Sequence, residues 1–230
     1  MMGAGTLILP QDRRYFAMKQ RLSAFVLGVL AGICIALGGT AFLSLESKVL
    51  GAVFFCVGLF AICTLGFSLF TGKICYVFDR DRAYTLDLPF IWLGNLCGAW
   101  LTAKLEQLTR VSGIQERAVA LCQAKLDDNL LSIFILAFFC NVLIYLAVEG
   151  YNNNPHEIGK YLSLFFGVTV FILCGFEHCV ANMYYFSMAN LWSGKTLGYV
   201  LVMSLGNGAG GVLIPLVKKA LAGRQAAAAK

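Results

Sequence analysis

Two adjacent ionisable residues, Glu177 and His178, stand inside one of the long apolar stretches of this chain. Either group is costly in hydrocarbon, so at such depth it faces a cavity or a partner. On a helix the two would point about 100° apart. One can therefore line a cavity while the other pins a neighbouring helix. An imidazole titrates near neutral pH and can donate or relay a proton; the plain alternative is a packed histidine hydrogen-bonded within a bundle. A second polar interruption is Phe70-Thr71-Gly72. Thr71 offers a hydroxyl, and Gly72 permits a broken helix whose free N–H groups would attract an anion. An unbroken helix carrying a threonine is the alternative here. Large apolar side chains lie near both features: Phe55, Leu59 and Phe70 in one stretch, Phe171 in the other. Phe55 with Leu59, and Phe171 with His178, have same-face helical spacing. Lys125 stands at the edge of a further apolar run, with Asn141 within it. A lysine at a vestibule raises the local anion concentration; one at a membrane interface snorkels.

The elements that must position these groups follow from hydropathy. The chain has 230 residues, 59% hydrophobic and 13% charged, with a mean hydropathy of +0.76. A soluble domain of this size cannot hide so much apolar surface. The apolar residues fall into runs near the length of about 20 that crosses a bilayer: 22–45, 49–72, 88–103, 129–148, 161–191 and 196–217. The reading is an all-α membrane protein of six transmembrane helices. Residues 1–21 form a cytoplasmic N-terminal segment, 22–217 the membrane domain and 218–230 a cytoplasmic tail. The first run is too long for a signal-peptide core, so no cleavable leader is expected.

Charge placement gives the orientation. Arg13, Arg14, Lys19 and Arg21 precede the first run, and Lys218, Lys219, Arg224 and Lys230 follow the last. With six spans both ends share a side, and the positive-inside rule makes it cytoplasmic. The loop from Lys104 to Lys125 then falls outside despite its basic residues. No basic patch is interleaved with aromatics, so nucleic acid is not an expected partner. The nine cysteines include no Cys-x-x-Cys pair, which argues against a metal site or a disulfide framework. No Ser-His-Asp set or second carboxylate pair accompanies Glu177, so an enzyme is not expected, nor is a cofactor.

The chain also repeats. Gly94-Asn95-Leu96-Cys97-Gly98 and Gly206-Asn207-Gly208-Ala209-Gly210 lie 112 residues apart. The same shift lays Ser68–Lys73 on Val180–Tyr185. Each half has three spans, so the second half enters from the opposite side, as an inverted repeat with its path near the midplane. Small residues also let helices approach closely, and that packing role is open for Asn95 and its glycines.

The segment Gly175-Phe176-Glu177-His178-Cys179-Val180-Ala181-Asn182-Met183 resembles the signature of the formate–nitrite transporter family, in which a Phe-Glu-His-Ser-x-Ala-Asn-Met type sequence interrupts the fifth helix. Leu69-Phe70-Thr71-Gly72 is similar to that family's second-helix loop motif, and the two Gly-Asn-x-x-Gly segments to its third and sixth helices. The resemblance runs from about residue 20 to 217. It implies a homopentamer in lipid, an aquaporin-like protomer with interrupted helices two and five, one pore per subunit, and passage of formate, nitrite or hydrosulfide. By matching position, His178 would be the central pore histidine, with Thr71 and Asn207 as polar neighbours. Leu59 and Phe171 would form the cytoplasmic constriction, and Phe70 would help form the periplasmic one, with Phe55 beside them. Lys125 would be the charged vestibule residue, and Glu177, Asn182, Asn95 and Asn141 would support the site. Gly66-Phe67-Ser68 and Lys73 depart from the family pattern, and the Lys73 loop leans toward the hydrosulfide branch. The implied scheme has His178, or water beside it, protonate the anion, so that a neutral acid passes the constrictions. An aquaporin-type neutral-solute channel is the main rival, although its paired Asn-Pro-Ala motifs are absent.

Overall fold

The structure, a computed structural model, describes residues 10–228, with side chains described for residues 18–225. Of the basic flanks, the side chains of Arg13 and Arg14 and the whole of Lys230 lie outside the described residues. The elements are α1 (Pro10–Ser44), α2 (Lys48–Leu65), α3 (Phe70–Lys73), α4 (Arg82–Gln107), α5 (Gln115–Leu126), α6 (Leu130–Asn153), α7 (Glu157–Leu173), α8 (Cys179–Met188) and α9 (Gly194–Ala228). Short 3-10 turns occupy Ile74–Tyr76 and Arg110–Ile114.

Local chemistry sets the boundaries. The side chains of Ser47, Asp81 and Asn129 accept from the N–H groups of Leu50, Tyr84 and Ser132 and so cap α2, α4 and α6. Among the described residues four helical stretches are long and apolar enough to cross a membrane: Met18–Ser44, Lys48–Leu65, Leu130–Asn153 and Gly194–Gln225. Of the six expected spans, the third corresponds to α4, whose ends carry Arg82, Asp87, Lys104 and Glu106. The fifth is divided between α7 and α8. Large apolar side chains such as Leu22, Val26, Leu37, Phe54 and Phe166 face outward, as a lipid-facing surface requires.

Helix packing occurs twice in the same pattern. α1 packs on α2 and α4; α6 packs on α7 and α9; α2 and α7 meet between the halves. The close approaches depend on glycine. A Cβ on Gly94 or Gly98 would run into the carbonyls of Phe25 and Val29 on α1. A Cβ on Gly206 or Gly210 would meet those of Phe134 and Phe138 on α6. The Gly-Asn-x-x-Gly glycines are therefore packing residues.

The repeat register differs from the sequence expectation. Gly66 and Gly175 both adopt positive φ, 74° and 70°, at the ends of α2 and α7, and they lie 109 residues apart. Phe67 N–H donates to Ile62 O and Ser68 N–H to Leu27 O; 109 residues on, Phe176 N–H donates to Phe171 O and Glu177 N–H to Leu136 O. The equivalent segments are thus 66–70 and 175–179, not 68–73 and 180–185. The 112-residue spacing of the asparagines had hidden this. α8 is longer than α3, so three extra residues separate Cys179 from Asn207.

A further difference lies between α4 and α6. The expected outer loop contains a 3-10 turn and α5. Lys125, expected at the edge of the fourth apolar run, sits in the last turn of α5. Glu116, Arg117, Gln123 and Lys125 dilute the apolar face of α5 and conceal it in the sequence.

Candidate functional site

Two chain reversals build the site. After α2 the chain turns at Gly66 and α3 begins at Phe70; after α7 it turns at Gly175 and α8 begins at Cys179. One asparagine organises each reversal. Asn95 Oδ1 accepts from Phe70 N–H at 2.8 Å, and its Nδ2 donates to Gly28 O and Ser68 O at 2.8 and 2.9 Å. Asn207 Oδ1 accepts from Cys179 N–H at 2.9 Å, and its Nδ2 donates to Ala137 O and Glu177 O at 2.7 and 2.9 Å. Both asparagines are fully buried. The first N–H of each short helix is therefore engaged and is not free to receive an anion.

His178 lies where these segments meet. Its Nδ1 accepts from Ala181 N–H at 3.1 Å, which makes it the N-cap of α8. A nitrogen that accepts carries no proton, so the ring hydrogen sits on Nε2, 2.8 Å from Thr71 Oγ1. The ring stacks on Phe171, centroids 5.7 Å apart at 18°, and Phe171 meets Phe55 edge-on at 6.0 Å. Asn141 Nδ2 donates to Thr71 O at 3.0 Å and fixes α3 against α6. A second proton on Nδ1 would break the Ala181 cap. The histidine is thus arranged as a neutral N–H donor, and the expected direct proton transfer from its ring loses support.

Glu177 turns the other way and binds Lys125. Lys125 Nζ donates to both carboxylate oxygens, at 2.8 and 2.6 Å, and Asn182 Nδ2 donates to Oε2 at 2.8 Å. Asn182 Nδ2 also donates to His178 O at 2.9 Å. Lys125 is accordingly a paired, largely buried cation that holds α5 onto the second reversal. It is neither a free vestibule charge nor a snorkelling one. The side-chain oxygens of Asn141 and Asn182 are buried without a partner among the described residues.

Cavities lie on both sides of His178. One of about 100 Å³ is lined by Lys48, Lys125, Phe171, His178, Asn182 and Tyr185. The other, of about 450 Å³, is lined by residues that include Leu59, Cys63, Leu69, Lys73, Tyr76 and Arg80. The second opens beside the C-terminal part of α9, where Lys219 Nζ donates to Phe78 O at 2.7 Å. Between the cavities, Phe55, Leu59, Leu69, Thr71, Phe171 and His178 are each at most 2% exposed. Leu59 and Phe171, expected to form one constriction, line different cavities. Leu59 shares its cavity with Leu69, whereas Phe171 groups with Phe55 and His178. Phe70 is the first residue of α3, half-buried, with its N–H held by Asn95. Leu69 was not singled out in the sequence, where it is one leucine among many. Its signal was its position three residues after Gly66, matching His178 after Gly175.

A chain whose described elements are all helices, with an apolar exterior and a buried polar centre between two cavities, has the architecture of a membrane transport protein. The family model for formate/nitrite transporters matches residues 13–219, and the chain belongs to that family. It is 30% identical over 217 residues to the uncharacterized transporter YrhG of Bacillus subtilis, covering 83% of this chain and 81% of the relative. It is 26% identical over 197 residues to the formate channel FocA of Haemophilus influenzae, covering 76% and 69%. The fold is similar to a solved pentameric formate channel with formate bound, with a TM-score of 0.73 at 24% identity, covering 88% of this chain and 97% of the other.

Proposed function

We propose that this protein is a membrane channel for small monovalent weak-acid anions, formate, nitrite or hydrosulfide, and not an enzyme. It assembles as a homopentamer in the inner (plasma) membrane, with one pore in each subunit. Each protomer crosses the bilayer six times as two inverted three-helix repeats. Helices two and five are the interrupted ones, as α2/α3 and α7/α8, and both termini are cytoplasmic. The observation that carries the reading is His178 Nε2, stacked on Phe171 and 2.8 Å from Thr71 Oγ1, between two cavities. A buried N–H donor between the two cavities compensates an anion where it sheds water.

A bare anion crossing hydrocarbon without compensation costs many kcal/mol. Two features reduce that cost. Thr71 Oγ–H, whose oxygen accepts from the ring, and His178 Nε2–H, when its bond to Thr71 Oγ1 is released, donate to the anion. A proton from solvent, rather than from the ring, then neutralises it, so a weak acid passes the apolar side chains and reionises beyond. Phe55 and Phe171 form the constriction on the His178 side, and Leu59 with Leu69 the constriction on the cytoplasmic side. Asn95, Asn207, Asn141, Asn182 and the Lys125–Glu177 pair hold these groups in place.

Flux into proteoliposomes tests this. Formate, nitrite and hydrosulfide should permeate saturably and faster than chloride, an anion of a strong acid. Permeation of water or glycerol without anion flux would favour the neutral-solute channel instead.

A further inference from the structure

The larger cavity carries two cations that the pore centre does not use. Lys73 ends α3, two residues beyond Thr71, and is half-buried; Arg80 is exposed at the rim. Among the described residues neither forms an ion pair. The acid in that wall, Glu149, accepts from Tyr76 OH at 3.0 Å and lies 3.6 Å from Lys218 Nζ. On the other side of His178 Lys125 is neutralised by Glu177. Lys48, exposed at the rim, donates Nζ to Leu173 O at 3.0 Å and keeps its charge. Among the described residues two unpaired cations therefore line the larger cavity and one lines the smaller, and the Lys125 charge that the sequence placed at a vestibule is already paired. A low-dielectric cleft with one sign of charge raises the local concentration of counter-ions by ~10- to 1,000-fold.

From this we infer that the cavity is a holding site for a small hydrated oxyanion, a monovalent carboxylate or nitrite, with Lys73 as its contact and Arg80 at its mouth. The inference rests on the anion-channel reading. A volume of about 450 Å³ accommodates such an anion together with several waters, each of which occupies ~30 Å³. The anion thus waits hydrated above Leu59 and Leu69, before the step that strips its water. Lys73 is the residue that sets how strongly the cytoplasmic side is loaded.

Cys63 lines the same cavity and supplies a reporter independent of flux. The full-length protein in detergent micelles is treated with an anionic methanethiosulfonate (ethylsulfonate) or a cationic one (ethyltrimethylammonium). Modification is read on the Cys63 peptide by mass spectrometry and normalised to each reagent's rate on a free thiol. The anionic reagent should react roughly 10-fold faster. Sodium formate should slow it, and Lys73→Met should bring the ratio near one. Equal rates, a cationic preference, no effect of Lys73→Met, or no reaction with either reagent would each overturn the inference. A charge preference at Cys63 in a protein that conducts no anion would instead sink the channel reading and leave the cavity's chemistry standing.

Discussion

Leu69 and His178 hold the same place in the two halves of the chain. Each is the last residue before a short helix, with φ, ψ of −97°, 126° and −98°, 114°, and each is 2% exposed. The fold is repeated and the chemistry is not. One reversal ends in an alkyl group and the other in an imidazole whose Nδ1 caps α8, so only the second supplies a side-chain donor.

Asn95 and Asn207 should be equivalent in stability because they make the same bonds. Replacing either by leucine strands one N–H and the loop carbonyl of Ser68 or Glu177 in a buried setting, at roughly 1–3 kcal/mol for each stranded group, while the Gly28 and Ala137 carbonyls keep their helical bonds. Thermal unfolding in detergent should show comparable losses for Asn95→Leu and Asn207→Leu. A large loss for one and none for the other would contradict the shared capping role.

The Lys125–Glu177 pair should couple strongly. Lys125→Met leaves a buried carboxylate with only Asn182, and Glu177→Gln leaves a largely buried ammonium. Breaking a buried pair from one side costs about 3–5 kcal/mol. The double variant should be more stable than the sum of the single losses predicts, because neither charge is then left alone. Strict additivity in a double-mutant cycle would show that the pair is electrostatically idle.

Much of this arrangement was legible in the sequence. The apolar runs located the long helices, and the Glu177-His178 pair located the centre, because ionisable groups stand out against hydrocarbon. That one of them can line a cavity while the other pins a neighbouring helix was legible too, but not which does which: Glu177 binds Lys125 of α5, and His178 lines the smaller cavity. Three things were not. The repeat register was read from Asn95 and Asn207, whose spacing includes three extra residues. The recurring Gly66-Phe67 and Gly175-Phe176 dipeptides carry the true spacing, since only a residue tolerant of positive φ can end α2 and α7 as these do. Helix α5 lacked a clean apolar stripe, so its residues were read as loop and Lys125 only as the edge of the next apolar run. The partnership of Leu59 with Leu69 left no mark, because an apolar residue beside a pore looks like any other core residue.

Leu69 also gives a prediction about selectivity. With Leu59 it closes the floor of the larger cavity, so Leu69→Ala should widen the passage. The ratio of acetate to formate flux in proteoliposomes should rise several-fold. Gly98→Ala serves as the opposite control: its Cβ would collide with the Val29 carbonyl, and the expected result is loss of folded protein. An unchanged acetate ratio in well-folded Leu69→Ala would place the constriction elsewhere.

The central claim is that the anion passes His178 and is stabilised by a neutral N–H. Formate flux in proteoliposomes should be compared for the native protein, His178→Leu and His178→Asn, after gel filtration has confirmed folding. Asparagine can still cap α8 and still offers an N–H, whereas leucine does neither. The account predicts that His178→Leu lowers flux by ~10- to 100-fold, the value of a hydrogen bond to a charged group. It predicts that His178→Asn keeps substantial flux with the native pH dependence. Undiminished flux in folded His178→Leu would contradict the account, because the anion would then not depend on this site.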